Sequence, residues 1–313
     1  MNKTAKANII DSISQSAKSA KDVEFGKYGE QIKKSAIEAF KEDAGYGDVT
    51  TDALFPQDRA SRALVVAEED CILAGLLEAR EILETGGLRV SGKADGTVAK
   101  KGDVVLRIFG SVKEILARER IVLNYISKMS GIATLSRKLY KKYGKRVAFL
   151  RKTDPGLMFS EKRAVALGGC MPHRMNLSDG ILIKDNHLDE LAKKGNRVTA
   201  IIKALIFADE YRAKHRYMPI EIEVESLREA MIAAGVFVKL RGPNIILLDN
   251  MSPKDVKVAS HVIKKRCPNT IVEASGGITE KNIGAYLKAG ADYVSTSIFA
   301  SARPCRFKLE ISK

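Results

Sequence analysis

The chain is 313 residues long and carries 53 Lys and Arg against 38 Asp and Glu, a formal net charge of +15, with 45% hydrophobic residues, 6% aromatic residues and no Trp. That composition can bury the core of one large domain or two ordinary ones, no run of 18 apolar residues marks a membrane span, and the N-terminus lacks the apolar segment of a secretory signal. The four cysteines, Cys71, Cys170, Cys267 and Cys305, are far apart and have no His at ligand spacing; neither a zinc site nor a disulfide framework is expected, and a reducing cytosol is the default compartment. The positive excess calls for an anionic partner, and the scarcity of aromatic faces argues against single-stranded nucleic acid.

Residues 1 to 37 read as a basic leader, helical or mobile, with apolar residues at loose helical spacing (Ile9, Ile10, Ile13, then Ile32 and Ala36). From residue 38 to 118 short β-type runs (Ala63 to Ala67, Val104 to Ile108) are punctuated by Gly75, Gly86-Gly87 and Asp95-Gly96, which predicts a small α/β domain with hairpins. Ser111 and Glu114 form a capping box that opens a long helix, ended by Gly144.

Beyond it, apolar runs alternate with helical segments: Val147 to Leu150, Ile181 to Ile183, Ile220 to Val224, Ile245 to Leu248, Ile271 to Ala274 and Tyr293 to Ser295. Ser226 with Glu229, Ser252 followed by Pro253 and Asp255, and Thr279 are the expected helix caps between them, the last opening a helix that stops at Gly290. Strand, helix, strand repeated about six times predicts a parallel sheet. Nearly every strand ends in polar or charged residues. In a closed or partly closed barrel such ends surround one mouth, whereas a doubly wound sheet gathers its ligand contacts at a single switch point, so the pattern favours an α/β barrel over residues 119 to 301. Residues 302 to 313 are expected to return to the N-terminal domain.

The strand ends define three sets. Arg151, Lys152, His173, Arg174 and Lys184 are basic; taken singly each is a solvated loop charge, but three consecutive units delivering cations to one rim suit a ligand with several anionic groups. Glu221, Glu223 and Glu225 share one strand face, and Glu223 with Asp249 can hold sugar hydroxyls, coordinate Mg²⁺ or stabilise a developing cation. Ser275-Gly276-Gly277, between a strand and the Thr279 helix, is a candidate phosphate cradle.

Seven strings, EDAGYGDVTTDALFP (42 to 56), ERIVLNYISKMSGIATLSRKL (119 to 139), RKTDPG (151 to 156), GGCMPHRMNLSDGILIKDNH (168 to 187), EIEVES (221 to 226), IILLDNMSP (245 to 253) and EASGGITEKNI (273 to 283), resemble in order the quinolinate phosphoribosyltransferases, the carboxylating nicotinate-nucleotide pyrophosphorylases. The resemblance implies an N-terminal α/β sandwich, an incomplete α/β barrel with parallel strands, and a homodimer, or a higher assembly, in which the partner's N-terminal region completes each barrel mouth. It implies phosphoribosyl transfer from phosphoribosyl pyrophosphate to quinolinate with loss of CO₂, Mg²⁺ accompanying the pyrophosphate. Family substrate-binding positions fall on Arg120 (donated across the dimer), Arg151, Lys152, Thr153, His173, Arg174, Lys184, Ser275, Gly276, Gly277 and Ser297; the catalytic set is Lys152, Glu223 and Asp249, the last two being the carboxylates near ribose and metal. Small anions are then the expected partners rather than nucleic acid or membrane. The chain departs from the family pattern at Leu150, Cys170, Pro172 and Ser297 to Ser301, and its Pro-His-Arg is similar to a sister branch, the molybdenum-transport-associated pyrophosphorylase-like proteins. Two further readings follow: a sister-branch transferase acting on another heterocyclic acid, and a non-catalytic polyanion binder on the same scaffold.

Overall fold

The structure is a computed structural model that describes residues 24–193, 195–215 and 218–312. Residues 1 to 23, which hold most of the expected leader including Ile9, Ile10 and Ile13, lie outside them. The described residues fall into two units, one of residues 24–142, 152–170 and 299–312, the other of 143–151 and 171–298.

The first unit opens with helix α1 (Glu24–Ala44), whose Tyr28, Ile32 and Ala36 recur every four residues and are all buried. Tyr28 stacks on Phe159, ring centroids 4.5 Å apart. After the short α2 (Val49–Leu54), capped by the Asp48 carboxylate accepting from the Thr51 amide at 3.0 Å, come β1 (Ala60–Ala67), β2 (Cys71–Ile72), α3 (Leu76–Thr85), β3 (Arg89–Gly92), β4 (Val98–Ala99) and β5 (Val104–Ser111). A four-stranded antiparallel sheet runs in the order β12-β1-β5-β3, its β12 being the C-terminal strand Phe307–Ser312. Ala63 and Val65 face Ile108 and Leu106 across the β1–β5 pair, and all four are buried.

Helix α4 (Val112–Tyr143) begins where the Ser111 hydroxyl accepts the Glu114 amide at 3.1 Å. Its middle belongs to this unit for a physical reason. Ser130 and Thr134 accept the amides of Ala74 and Ile72 at 3.1 and 2.9 Å, and a side chain at Gly131 would stand 2.3 Å from the Arg303 carbonyl oxygen. Helix α5 (Met158–Gly168) joins the same unit, with the Ser136 hydroxyl donating to the Val165 carbonyl at 2.6 Å. This unit therefore takes in α4 as far as residue 142, because α4 side chains satisfy backbone groups of residues 72, 74 and 165 and Gly131 lies against Arg303.

The second unit is a curled six-stranded parallel sheet in the order β6-β11-β10-β9-β8-β7. Its elements are β6 (Val147–Phe149), β7 (Ile181–Ile183), α6 (Asp185–Ala192), α7 (Arg197–Lys214), β8 (Ile220–Val224), α8 (Leu227–Phe237), β9 (Asn244–Asp249), α9 (Pro253–Arg266), β10 (Ile271–Ser275), α10 (Ile283–Lys288) and β11 (Tyr293–Thr296). The ladders align Glu221, Ile245 and Ile271, then Leu247 and Glu273, then Asp249 and Ser275. Alternation thus gives one sheet face Ile245, Leu247 and Asp249 from β9 and Ile271, Glu273 and Ser275 from β10. At its lower end Ala148, Met171, Ile245, Ile271 and Tyr293 form an apolar cluster, and polarity increases toward the C-terminal strand ends.

Two of the three expected caps are as read: Ser226 accepts from the Glu229 amide at 3.3 Å and Ser252 from the Asp255 amide at 3.2 Å. The third is not. The Asn282 carboxamide oxygen accepts from the Thr279 amide at 2.8 Å, holding residues 279 to 282 in a turn, and the helix starts only at Ile283. No helix among the described residues is long and apolar enough to cross a membrane.

Candidate active site

The C-terminal strand ends of the second unit carry Arg151, Arg174, Lys184, Glu223, Asp249 and Ser275. Arg151 follows β6, and Arg174 lies in the segment between the Ala148–Met171 bridge and β7, donating to the Gly180 carbonyl at 3.1 Å. Burial first and the Arg151 charge second push the Arg174 guanidinium below its ordinary pKa. Two guanidiniums that repel each other, Arg174 part-buried and Arg151 exposed, form a rim whose electrostatics favour an incoming anion. Lys184 ends β7 at the start of α6, where its backbone amide donates to His187 Nδ1 at 2.9 Å.

Opposite in sign are Glu223 and Asp249. Glu223 is half-buried, and its carboxyl pKa is raised, first by burial and then by the Asp249 charge, while Lys184 pulls it back. Two oxygen donors whose charges oppose one another beside a Lys suit a hard divalent cation or a developing positive centre. Asn250 sits in a left-handed conformation (φ 53), its carboxamide donating to Asp249 and its backbone amide to the Ser275 carbonyl at 3.0 Å.

That arrangement places Asn250 against the glycine turn. Gly276 (φ 83) would bring a Cβ within 2.2 Å of Asn250 Oδ1, whereas Gly277 (φ 60) faces open space. Asn282 donates to the Gly277 carbonyl at 2.9 Å, so the same side chain that delays the helix braces the turn. Any anion here meets loop amides, since α10 begins six residues beyond Gly277. Ser297, just past β11, is exposed.

Not all expected site residues lie in this unit. Lys152 (exposed) and Thr153 (part-buried), directly after Arg151, belong to the first unit, as does Arg120, exposed on α4. Beneath the rim the expected site residue His173 is buried and meets an acid that the sequence pattern did not single out: its Nε2 lies 3.2 Å from Glu273 Oε2, and 3.7 Å from Glu221 Oε2. The signal for Glu273 was an acid inside the apolar run Ile271 to Ala274, two residues before Ser275 and hence on its face.

Two family models cover the chain: quinolinate phosphoribosyl transferase, N-terminal domain, over residues 48–130, and its C-terminal domain over residues 132–310. The chain belongs to the quinolinate phosphoribosyltransferase family. A protein of Methanothermobacter thermautotrophicus named "Probable nicotinate-nucleotide pyrophosphorylase (carboxylating)" is 36% identical over 285 residues, 88% of this chain and 96% of that one. The nicotinate-nucleotide pyrophosphorylase (carboxylating) of Mycobacterium leprae is 33% identical over 88% of this chain and 93% of its own length. Among solved structures, the nicotinate-nucleotide pyrophosphorylase of Francisella tularensis superposes with a TM-score of 0.78 at 27% identity, covering 91% of this chain and 97% of that one.

Proposed function

We propose that this chain transfers the phosphoribosyl group of phosphoribosyl pyrophosphate to quinolinate, with loss of CO₂, giving nicotinate mononucleotide and pyrophosphate for NAD biosynthesis. The observation that carries the reading is the match of both family domains over a chain whose strand ends set a pair of guanidiniums apart from a pair of carboxylates. Arg151, Arg174, His173, Lys184 and Lys152 bind the two carboxylates of the acid. Thr153 assists, and Arg120 reaches the acid from the other subunit of a homodimer. Ser275, Gly276 and Gly277 take the 5′-phosphate, with Ser297 at the same rim. Glu223 and Asp249 face the ribose, where the positive charge develops as the bond to pyrophosphate breaks, and stabilise it. Their oxygen donors also fit Mg²⁺, held directly or through the substrate's pyrophosphate, which when bound would supply positive charge to the departing group.

The cationic rim holds the ring so that its nitrogen faces the reacting carbon, which converts a two-body encounter into a positioned attack. Once that nitrogen is quaternary, the adjacent carboxylate leaves as CO₂. The electron pair left on the ring carbon lies beside the positive nitrogen until it takes a proton. Small anionic metabolites are thus the partners, and the cytoplasm the compartment. The Pro172-His173-Arg174 string, similar to the sister branch, favours a second reading, in which a related heterocyclic acid is the acceptor. Quinolinate consumption that depends on phosphoribosyl pyrophosphate tests the assignment: it is expected in the wild type and lost in Lys152→Ala and Glu223→Ala. Full activity in both variants would remove these residues from the site.

A further inference from the structure

We propose that Glu273, seconded by Glu221, is a positioning residue that clamps His173 Nε2 and holds the ring as a doubly protonated cation directed at a substrate carboxylate. The inference rests on the functional reading above for the identity of the substrate, and on geometry for the clamp. The three residues come from separate segments: Glu221 from β8, Glu273 from β10 and His173 from the segment before β7. Each is nine-tenths buried or more, at 5%, 0% and 7% exposure. An ionised carboxylate only accepts hydrogen bonds, so the 3.2 Å contact between Glu273 Oε2 and Nε2 fixes the proton on Nε2. A substrate carboxylate likewise needs a donor, which requires a second proton on Nδ1. The ionised Glu273 carboxylate at 3.2 Å from the opposite nitrogen favours that charged form, with the Glu221 carboxyl 3.7 Å away.

The surroundings assign the charge between the two acids. Burial alone would raise Glu273, but the His173 charge and the His173 hydrogen bond oppose it, and the carboxyl is held below its ordinary value. Glu221 is pushed up to about 8, by burial first and the Glu273 charge second, against opposition from His173 and Arg174. The Tyr293 ring centroid lies 6.3 Å from that of the imidazole. His173 also adopts a left-handed backbone conformation (φ 54), which a non-glycine residue keeps only where surrounding contacts over-determine it. The clamp on its ring is such a contact, and Arg174, the next residue, inherits its placement. The same three side chains bring ligand atoms within 4.8 Å of one another, so a bound metal ion is the competing occupant.

Nitrogen-15 NMR of histidine-labelled protein, with the His173 signal assigned by its loss in His173→Gln, reads the ring directly. At neutral pH both ring nitrogens of wild-type His173 are expected to show imidazolium shifts, and Glu273→Gln, of nearly the same volume, is expected to return the ring to a neutral tautomer. In steady-state assays Glu273→Gln should raise the KM for quinolinate about tenfold or more and leave the KM for phosphoribosyl pyrophosphate within about twofold, a split that general loosening would not give. A neutral wild-type ring, a metal-bound signature abolished by chelator, or an unchanged quinolinate KM in a folded Glu273→Gln protein would each overturn the clamp. If wild type does not consume quinolinate, the functional reading fails while the free enzyme's spectrum still decides the clamp. If Glu273→Gln does not fold, the wild-type spectrum and Glu221→Gln decide it.

Discussion

Gly276 shows how one residue connects backbone conformation to chemistry. Its φ of 83 and the 2.2 Å approach of a would-be Cβ to Asn250 Oδ1 leave no room for a side chain, and Asn250 in turn holds Asp249. Gly276→Ala is expected to cost about 1–3 kcal/mol of stability, read as a fall in the thermal midpoint, and to raise the KM for phosphoribosyl pyrophosphate more than that for quinolinate. Gly277→Ala meets strain from its φ of 60 but no atom within 4 Å, so its effect should be the smaller of the two. Glu223→Ala is expected to lower turnover about 100-fold or more, because it removes a charge aimed at a centre that becomes positive only in the transition state. The residues legible in the sequence were those at strand ends, where a charge interrupts an apolar run. Glu273 was harder to read because its significance depends on His173, one hundred positions away, and only the barrel brings the two within 3.2 Å.

At the scale of elements, local chemistry was the most readable. Ser111, Ser226 and Ser252 each accept an amide three residues on, as their spacing predicts. Ser226→Ala is expected to destabilise the protein by about 1 kcal/mol, measured by denaturant unfolding, with the substrate KM values unchanged; no loss of stability would mean that the 3.3 Å bond is not a cap in solution. Thr279 was misread because Asn282, three residues on, takes its amide and converts a helix start into a turn. The packing of α4 was not legible for a related reason. Helix α4 is continuous in sequence pattern, but its polar side chains at Ser130 and Thr134 satisfy backbone amides sixty residues upstream, and Gly131 admits the Arg303 carbonyl, contacts that no local pattern encodes.

For the whole molecule, the formal charge of +15 is partly accounted for if the five cations Arg120, Arg151, Lys152, Arg174 and Lys184 bind substrate as proposed. Further positive charge lies on the outer face of the antiparallel sheet, where Arg89 and Arg62 lie 4.6 and 5.9 Å from the Phe109 ring centroid beside Arg107. If that face served nucleic acid, binding would weaken steeply with salt; the metabolic reading predicts turnover that survives neutralising it. The proposed homodimer is tested by mixing. Arg120→Ala and Glu223→Ala subunits, each inactive alone, are expected to regain activity together, since a hybrid dimer contains one site with both residues intact, and no recovery would assign Arg120 to its own chain. The most direct test of the central claim is mass analysis of products after incubation with phosphoribosyl pyrophosphate, Mg²⁺ and quinolinate. Nicotinate mononucleotide with one CO₂ released per nucleotide formed is expected; unreacted quinolinate, or a nucleotide that keeps both carboxylates, would rule out the decarboxylating transfer.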